Sequence, residues 1–363
     1  MKERAYICHT FYHVYVACLK EFACKRKGDA GEATLILSTM SNDFRSLPER
    51  AEHSDIFEEV LIFPEKAETE FEELLPLKQN THSAIGNLKN RIRFCRRLGE
   101  LTAPLVPTDL KEYGDIYVFC DSDPIGYYLN AHRIPYHAVE DGLNCIQHFD
   151  AARFDNRDHF AIKKWLAERG LIFIQNGYAK YCLDMEVNDI SVLPYKHKKY
   201  IEVPRRELTD ALTEEEKEKL LTLFLADKEK LYRQLEEGKD RKRVLILSEP
   251  LCDLATRKKL FRDIIDRYAK DENDPEKPLI MIKQHPRDKA DYTEDFADCI
   301  LLDAGFPMEI LNFVKDLVID KVISVYTVVD SLQFVKEKLV LGHDFMDLYE
   351  EPAVHRKNEQ IGA

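Results

Sequence analysis

Residues 4–38 read RAYICHTFYHVYVACLKEFACKRKGDAGEATLILS, and their patterning sets the fold. Arg4–Cys8 is a short apolar run of strand length. His13–Lys27 then predicts a helix that places Val14, Ala17 and Cys18 near one face, as a helix lying on a sheet requires. Ala33–Ser38 is a second apolar run. Strand, amphipathic helix and strand in succession make a βαβ unit, whose crossover helix sets the two strands parallel.

The same rhythm continues outward. Phe57–Phe63, Asp115–Cys120 and Tyr136–Val139 read as further strands, with helix over Phe71–Leu98 interrupted near Pro76 and Gly86. A highly charged segment follows, Leu208–Arg243, in which Thr213 and Glu216 stand at capping-box spacing ahead of a helix. Strands then resume at Val244–Leu247, Leu279–Lys283, Cys299–Leu302, Lys321–Ser324 and Lys338–Leu341. The expectation is an α/β protein of two doubly wound, Rossmann-like domains facing a central cleft: residues 1–205, a charged helical connector at 206–243, and residues 244–363. In such sheets ligands bind beyond the carboxyl ends of the strands, so the residues after each strand are the ones to inspect.

Composition narrows the partners. At 363 residues, 45% of them hydrophobic, the chain exceeds what one core usually serves. The formal net charge of -13, from 53 basic and 66 acidic side chains, repels nucleic-acid backbones and disfavours a nucleic-acid partner. The 9 cysteines are odd in number, scattered and without a CxxC pair, which argues against a disulfide framework or thiolate zinc site and fits a reducing cytoplasm. No apolar run reaches membrane-spanning length, and the stretch after the N-terminus is too interrupted by His9, Tyr12, His13 and Tyr15 for a signal-peptide core.

Four strand ends carry residues with chemistry. Glu140-Asp141-Gly142 follows Tyr136–Val139, and the glycine permits a tight turn that presents both carboxylates, suited to a sugar hydroxyl or its proton. An ordinary acidic turn is the competing reading. His285-Pro286-Arg287 follows Leu279–Lys283: Lys283 and Arg287 suit a phosphate, and His285 can donate to a leaving phosphate oxygen. Asp253 closes the loop Ser248–Asp253 and reads either as a site carboxylate or as a helix N-cap. Ser324-Val325-Tyr326-Thr327, with Asp330-Ser331 beyond, ends another strand with hydroxyls and backbone N–H groups that can hold an anion or simply cap. Glu309, after Pro307, reads as a helix entry and a candidate ribose contact. P-loop, dinucleotide, serine-hydrolase and zincin motifs are absent from the sequence, and ordinary packing is the default for His9, His13, His132 and His137.

Taken in order, Cys8-His9-Thr10, Glu140-Asp141-Gly142, the Ser248–Asp253 loop, His285-Pro286-Arg287 and Ser324–Thr327 resemble glycosyltransferase family 52, which includes bacterial lipooligosaccharide and capsule sialyltransferases. The resemblance runs from Arg4 to about Phe345. It implies a GT-B-type fold with the acceptor side in the first domain and the nucleotide sugar in the second, CMP-sialic acid as donor, a glycan acceptor, inversion, no metal or other cofactor, and a homodimer. It also implies that His285 protonates or hydrogen-bonds the departing CMP phosphate, that Ser324 and Thr327 help hold the phosphate or cytidine, and that the acceptor base is Asp253 or a carboxylate of the Glu140-Asp141 pair. Thr10, Gly142, Pro286, Lys283, Arg287, Glu309 and Ser331 join the donor-site candidates. A related transferase with a UDP-hexose donor, a non-catalytic sugar-nucleotide or glycan-binding protein, and a scaffold remain the alternatives. Peripheral contact with an inner bacterial membrane face depends on a basic patch at Lys89–Arg97.

Overall fold

The computed structural model describes residues 2–29, 31–141, 159–193, 197–269, 277–286, 288, 290–327, 329–330 and 332–354. The chain divides into two compact units, one ending at Thr213 and the other beginning at Glu214.

The first unit is built on a seven-stranded sheet of β1 (Lys2–Cys8), β2 (Ala33–Ser38), β3 (Glu59–Phe63), β4 (Tyr113–Phe119), β5 (Tyr136–Val139), β6 (Cys182–Val187) and β7 (Tyr200–Glu202). Its spatial order is β3-β2-β1-β4-β5-β6-β7, and every ladder is parallel. Every residue of β2 is buried, as is the run Arg4–Cys8 of β1, the signature of strands covered on both faces. The helix Phe11–Arg26 buries Val14, Ala17 and Cys18, as read from the sequence, but also the whole run His13–Leu19, so this stretch is covered on more than one face. The helices Ala84–Thr102 and Pro124–His132 pack so closely that a Cβ on Gly99 would meet the Tyr127 carbonyl at 2.6 Å. A hydrogen-bonded ion pair lies inside this unit: Arg4 Nε donates to Glu21 at 2.7 Å, and both side chains are buried.

The second unit carries a five-stranded parallel sheet of β8 (Arg243–Leu247), β9 (Leu279–Lys283), β10 (Ile300–Leu302), β11 (Ile319–Ser324) and β12 (Val335–Val340), in the order β10-β9-β8-β11-β12. Two charged helices, Glu214–Phe224 and Lys228–Glu237, precede it. The segment 206–243, read as a charged helical connector, thus holds most of the helix Arg205–Asp210 and then these two, the last started by Asp227, whose side chain accepts the Lys230 amide.

In both sheets the strand order reverses beside the first strand, between β1 and β4 in one and between β8 and β11 in the other. At such a switch point the loops leave in opposite directions and open a crevice at the carboxyl ends. Thr10 after β1 and Ser324–Thr327 at the end of β11 fall at these two places, Glu140-Asp141 after β5 and His285 after β9 lie one strand further out, and Glu309 follows the edge strand β10.

Candidate functional site

At the switch point of the first unit, β1 ends at Cys8 and the chain turns through His9 and Thr10 into the helix Phe11–Arg26. Thr10 is the N-cap, its hydroxyl oxygen accepting the His13 amide at 3.2 Å. This turn aims two histidines inward. The His9 backbone N–H donates to His13 Nδ1 at 3.0 Å, which fixes the proton of neutral His13 on Nε2. From Nε2, His13 donates to Asp141, just beyond β5. His13 is fully buried, its ring stacked on Phe119 with centroids 4.6 Å apart, whereas Asp141 keeps 36% of its side chain exposed. Burial pulls the His13 pKa down, only partly opposed by Asp141, so the imidazole is neutral. For Asp141, burial works upward but is outweighed by His13 together with the Cys120 hydrogen bond and the charge of His9, and its carboxyl lies below the ordinary value.

Around this pair sits a second layer. His9 Nε2 meets Glu65 at 2.8 Å and Asp123 at 3.5 Å. Burial lowers the His9 pKa, yet Glu65, Asp123 and Asp141 outweigh it and raise it to about 9, so His9 is a buried cation. Glu65 is held in turn by the Ser38 hydroxyl at 2.6 Å and the Ile125 amide at 2.8 Å. Cys120, at the end of β4, adopts a left-handed backbone (φ 56), an uncommon choice for a residue with a Cβ. Ligand atoms of His9, His13 and Cys120 lie within 4.8 Å of one another, but both His13 nitrogens are engaged, so the trio is not an open metal site.

The two carboxylates of the acidic motif part company. Glu140 is buried and accepts the Asn188 amide at 2.7 Å, tying β5 to the loop after β6, and burial raises its pKa. Asp141 faces the histidines. Gly142 lies outside the described residues.

In the second unit the loop after β8 supplies Ser248 and Glu249, both buried. The Glu249 carboxylate accepts the backbone N–H groups of Val325, Tyr326 and Thr327 at 3.0 to 3.1 Å. The nest of N–H groups after β11, read from the sequence as a place for a donor anion, thus already holds a carboxylate of the chain. Ser324 is buried and donates to the Thr327 carbonyl at 2.8 Å. Ser331 lies outside the described residues.

His285 and Pro286 open a turn closed by the Asp288 amide donating to the His285 carbonyl at 2.9 Å. Asp288 is the turn's anchor: it accepts from the Ser248 hydroxyl at 2.9 Å, Tyr292 at 2.6 Å and the Arg257 guanidinium at 2.6 Å. The Ser248 oxygen also accepts the His285 amide at 3.1 Å. The loops after β8 and β9 are thereby stitched together, and the half-buried His285 side chain stands on a fixed backbone. Arg287 lies outside the described residues. Lys283 is buried, donates to the Gln284 carbonyl at 2.9 Å and sits 4.2 Å from the centre of the Phe306 ring. Glu309 stands in the first turn of the 3-10 helix Met308–Phe313, behind Pro307.

Asp253 is the exposed N-cap of the helix Leu254–Ile264. One oxygen accepts the amides of Ala255 and Thr256 at 3.0 and 3.1 Å, and the other accepts the Thr256 hydroxyl at 2.6 Å. The Thr256 hydroxyl, then its amide, lowers the Asp253 pKa. Sequence reasoning left His9 and His13 to packing by default, held Glu249 only as a member of its loop, and did not single out Glu65 or Asp288. Glu249 and Asp288 adjoin residues it did single out, but nothing in the sequence relates His13 to Asp141.

Two doubly wound units with polar clusters at both switch points make a GT-B-type glycosyltransferase fold. The description "Glycosyltransferase family 52" belongs to the family whose sequence profile matches residues 89–340, and the chain belongs to that family. Among solved structures it is similar to a 2,6-sialyltransferase from a Photobacterium species, solved with the donor product CMP and the acceptor lactose: 11% identity, TM-score 0.52, covering 99% of this chain and 76% of that one. It is also similar to the GT-B domain of a Photobacterium damselae sialyltransferase, with 12% identity, TM-score 0.49 and coverage of 94% and 100%. An uncharacterized protein of Haemophilus influenzae is 30% identical over 132 residues, 35% of this chain; the match spans 39% of that relative's length.

Proposed function

We propose that the chain is an inverting, metal-independent sialyltransferase that moves sialic acid from CMP-sialic acid to a galactoside-terminated cell-surface glycan. The observation that carries the reading is the Asp141 carboxylate, kept ionised and aimed by a buried, neutral His13 whose tautomer the backbone fixes. A single displacement needs such a base at the acceptor oxygen and help for the leaving phosphate. Asp141 takes the acceptor hydroxyl proton as that oxygen bonds to the anomeric carbon; the bond from this carbon to the CMP phosphate oxygen breaks, and His285 gives that oxygen a proton.

Asp141 is preferred over Asp253 as the base because both Asp253 oxygens are spent on capping. Glu140 holds the strand end instead. Lys283, Arg287, Thr327 and Ser324, with Glu309 for the ribose, remain the candidates for the nucleotide, alongside Thr10, Gly142, Pro286 and Ser331. A homodimer and peripheral contact with a membrane face complete the proposal. No helix among the described residues is long and apolar enough to cross a membrane.

A thermal-shift comparison of CMP, CDP, UDP and GDP, with and without EDTA, tests the donor. A ligand at ~100 times its dissociation constant adds about 2.7 kcal/mol to a folded state it alone binds. Stabilisation by CMP and its indifference to EDTA are expected. Stabilisation by UDP or GDP in its place would overturn the donor assignment.

A further inference from the structure

A cavity of about 530 Å³ opens in the first unit, on the side where strands begin, away from the acidic motif. It lies among the helix Ala84–Thr102, the end of the helix Pro124–His132, the end of the helix Phe160–Glu168 and the residues leading into β6. Four cations line it, Arg96, Arg133, Arg169 and Lys180, and no acidic residue among the described residues does. Arg96 pairs outside the lining with Glu100 at 2.9 Å. In a chain of net charge -13 this concentration of one sign is a local inversion.

Helix ends explain only part of it. Arg133 and Arg169 follow the last turns of two helices, where cations meet the negative end of the helix dipole. Arg96 lies within a helix, and Lys180 precedes a strand. Arg133 also holds a left-handed backbone, φ 60, at a helix end where glycine is the easier residue, so a cation stands there against local preference. Asn130, 8% exposed, lines the same cavity, and its amide oxygen has no hydrogen-bond partner among the described residues. That leaves a buried acceptor at the cavity wall without a protein partner among the described residues.

Apolar side chains rim the cations. Ile85, Leu88, Ile92 and Arg96 fall along one stripe of the helix Ala84–Thr102, with Ile85 81% exposed. Ile162 and Trp165, 61% and 50% exposed, precede Arg169 at the same spacing, and the Arg169 guanidinium lies 3.8 Å from the Trp165 ring centre. Leu171, also exposed, lines the cavity. Because Ile92 and Arg96 line it from one side and Arg169 and Leu171 from another, both stripes lead to its mouth.

We propose that this cavity receives the phosphodiester headgroup of an anionic, glycerol-bearing phospholipid, with Ile85, Ile162 and Trp165 entering the interface around it. Cations neutralise the phosphate, Asn130 accepts a glycerol hydroxyl, and exposed aliphatic and indole groups suit the headgroup boundary. The inference deepens the peripheral contact proposed above and is independent of the donor sugar.

Trp165 is the single tryptophan of the chain, so its fluorescence reports this surface alone. The full chain is mixed with phosphatidylglycerol or phosphatidylcholine vesicles, following emission and co-sedimentation, while transfer to a soluble galactoside is assayed separately. Binding and an emission blue shift with phosphatidylglycerol only are expected. The double variant Arg133→Glu, Lys180→Glu should lose at least tenfold in vesicle affinity with soluble transfer unchanged, and Arg133→Lys, Lys180→Arg should retain binding. Equal binding to both lipids, unaltered binding by the charge-reversed variant, or stabilisation by glycerol 3-phosphate without vesicle binding would overturn the proposal. Absent transfer with intact lipid selectivity would count against the sialyltransferase reading alone.

Discussion

His13 and Asp141, 128 positions apart in the chain, form a hydrogen-bonded pair in which the histidine is the fixed partner and the carboxylate the accessible one. The His9 amide on Nδ1 sets the tautomer, Phe119 sets the ring plane, and burial keeps the ring neutral. An aspartate so held keeps a lone pair for an incoming hydroxyl without losing its orientation.

The two aspartates offered as bases separate in a simple comparison. Asp141→Asn should cut kcat/KM by roughly 10²- to 10⁴-fold, the usual reach of general-base catalysis, with Tm close to wild type. Asp253→Asn should weaken the start of its helix, read as a small fall in Tm, and leave kcat/KM within a few-fold. Steady-state kinetics beside thermal melts decide it, and the reverse pattern would return the base to Asp253.

His13→Leu tests positioning. Without the Nε2–H donor, the Asp141 pKa rises from its lowered value, because burial is then opposed only by Cys120 and His9. The acidic limb of the pH profile of kcat/KM should move to higher pH, with kcat down by about 10- to 100-fold and KM little changed. A loss of rate at all pH values with no movement of the limb would mean that His13 only packs.

His9 sets a pH dependence of stability. Its folded pKa of about 9 exceeds the ordinary 6.5, so its charged contacts stabilise fully below pH 6.5 and are lost as pH rises through about 9. A shift of this size corresponds to about 3 kcal/mol. Urea melts from pH 6 to 10 should show the wild type losing more stability than His9→Gln over that window. Parallel curves would contradict the assignment of a buried cation.

Much of the fold is legible in the sequence because buried parallel strands are near-continuous apolar runs. β2, β5 and β9 coincide with their expected runs, and β1, β3, β4, β8, β10, β11 and β12 differ by a few residues at their ends, whereas β6 and β7 have no counterpart among the expected strands. β6 and β7 are less legible: Cys182–Val187 carries Asp184 and Glu186 on a strand near the sheet's edge, and Tyr200–Glu202 is only three residues long. The candidate site is legible where a strand ends in a local motif. It is not legible in the long-range pair of His13 and Asp141, since His13 sits in an apolar helix pattern that packing alone would explain. Glu249 was hidden for another reason: its loop points to a ligand, while its carboxylate serves three backbone amides of the chain itself.

That internal use gives a stability prediction. Glu249→Ala leaves three buried or half-buried N–H groups after β11 without their acceptor and should cost about 3 kcal/mol, whereas Glu249→Gln, which keeps an acceptor oxygen, should cost clearly less. Denaturant melts of the two variants check the order.

The central claim is tested most directly by incubating the chain with CMP-sialic acid and lactose in EDTA and following release of CMP together with formation of the sialylated disaccharide. Equal amounts of CMP and sialyllactose, with the α configuration that inversion requires and with both lost in Asp141→Asn, are the predicted result. No sialylated product from the folded wild-type chain, or undiminished transfer by Asp141→Asn, would contradict it.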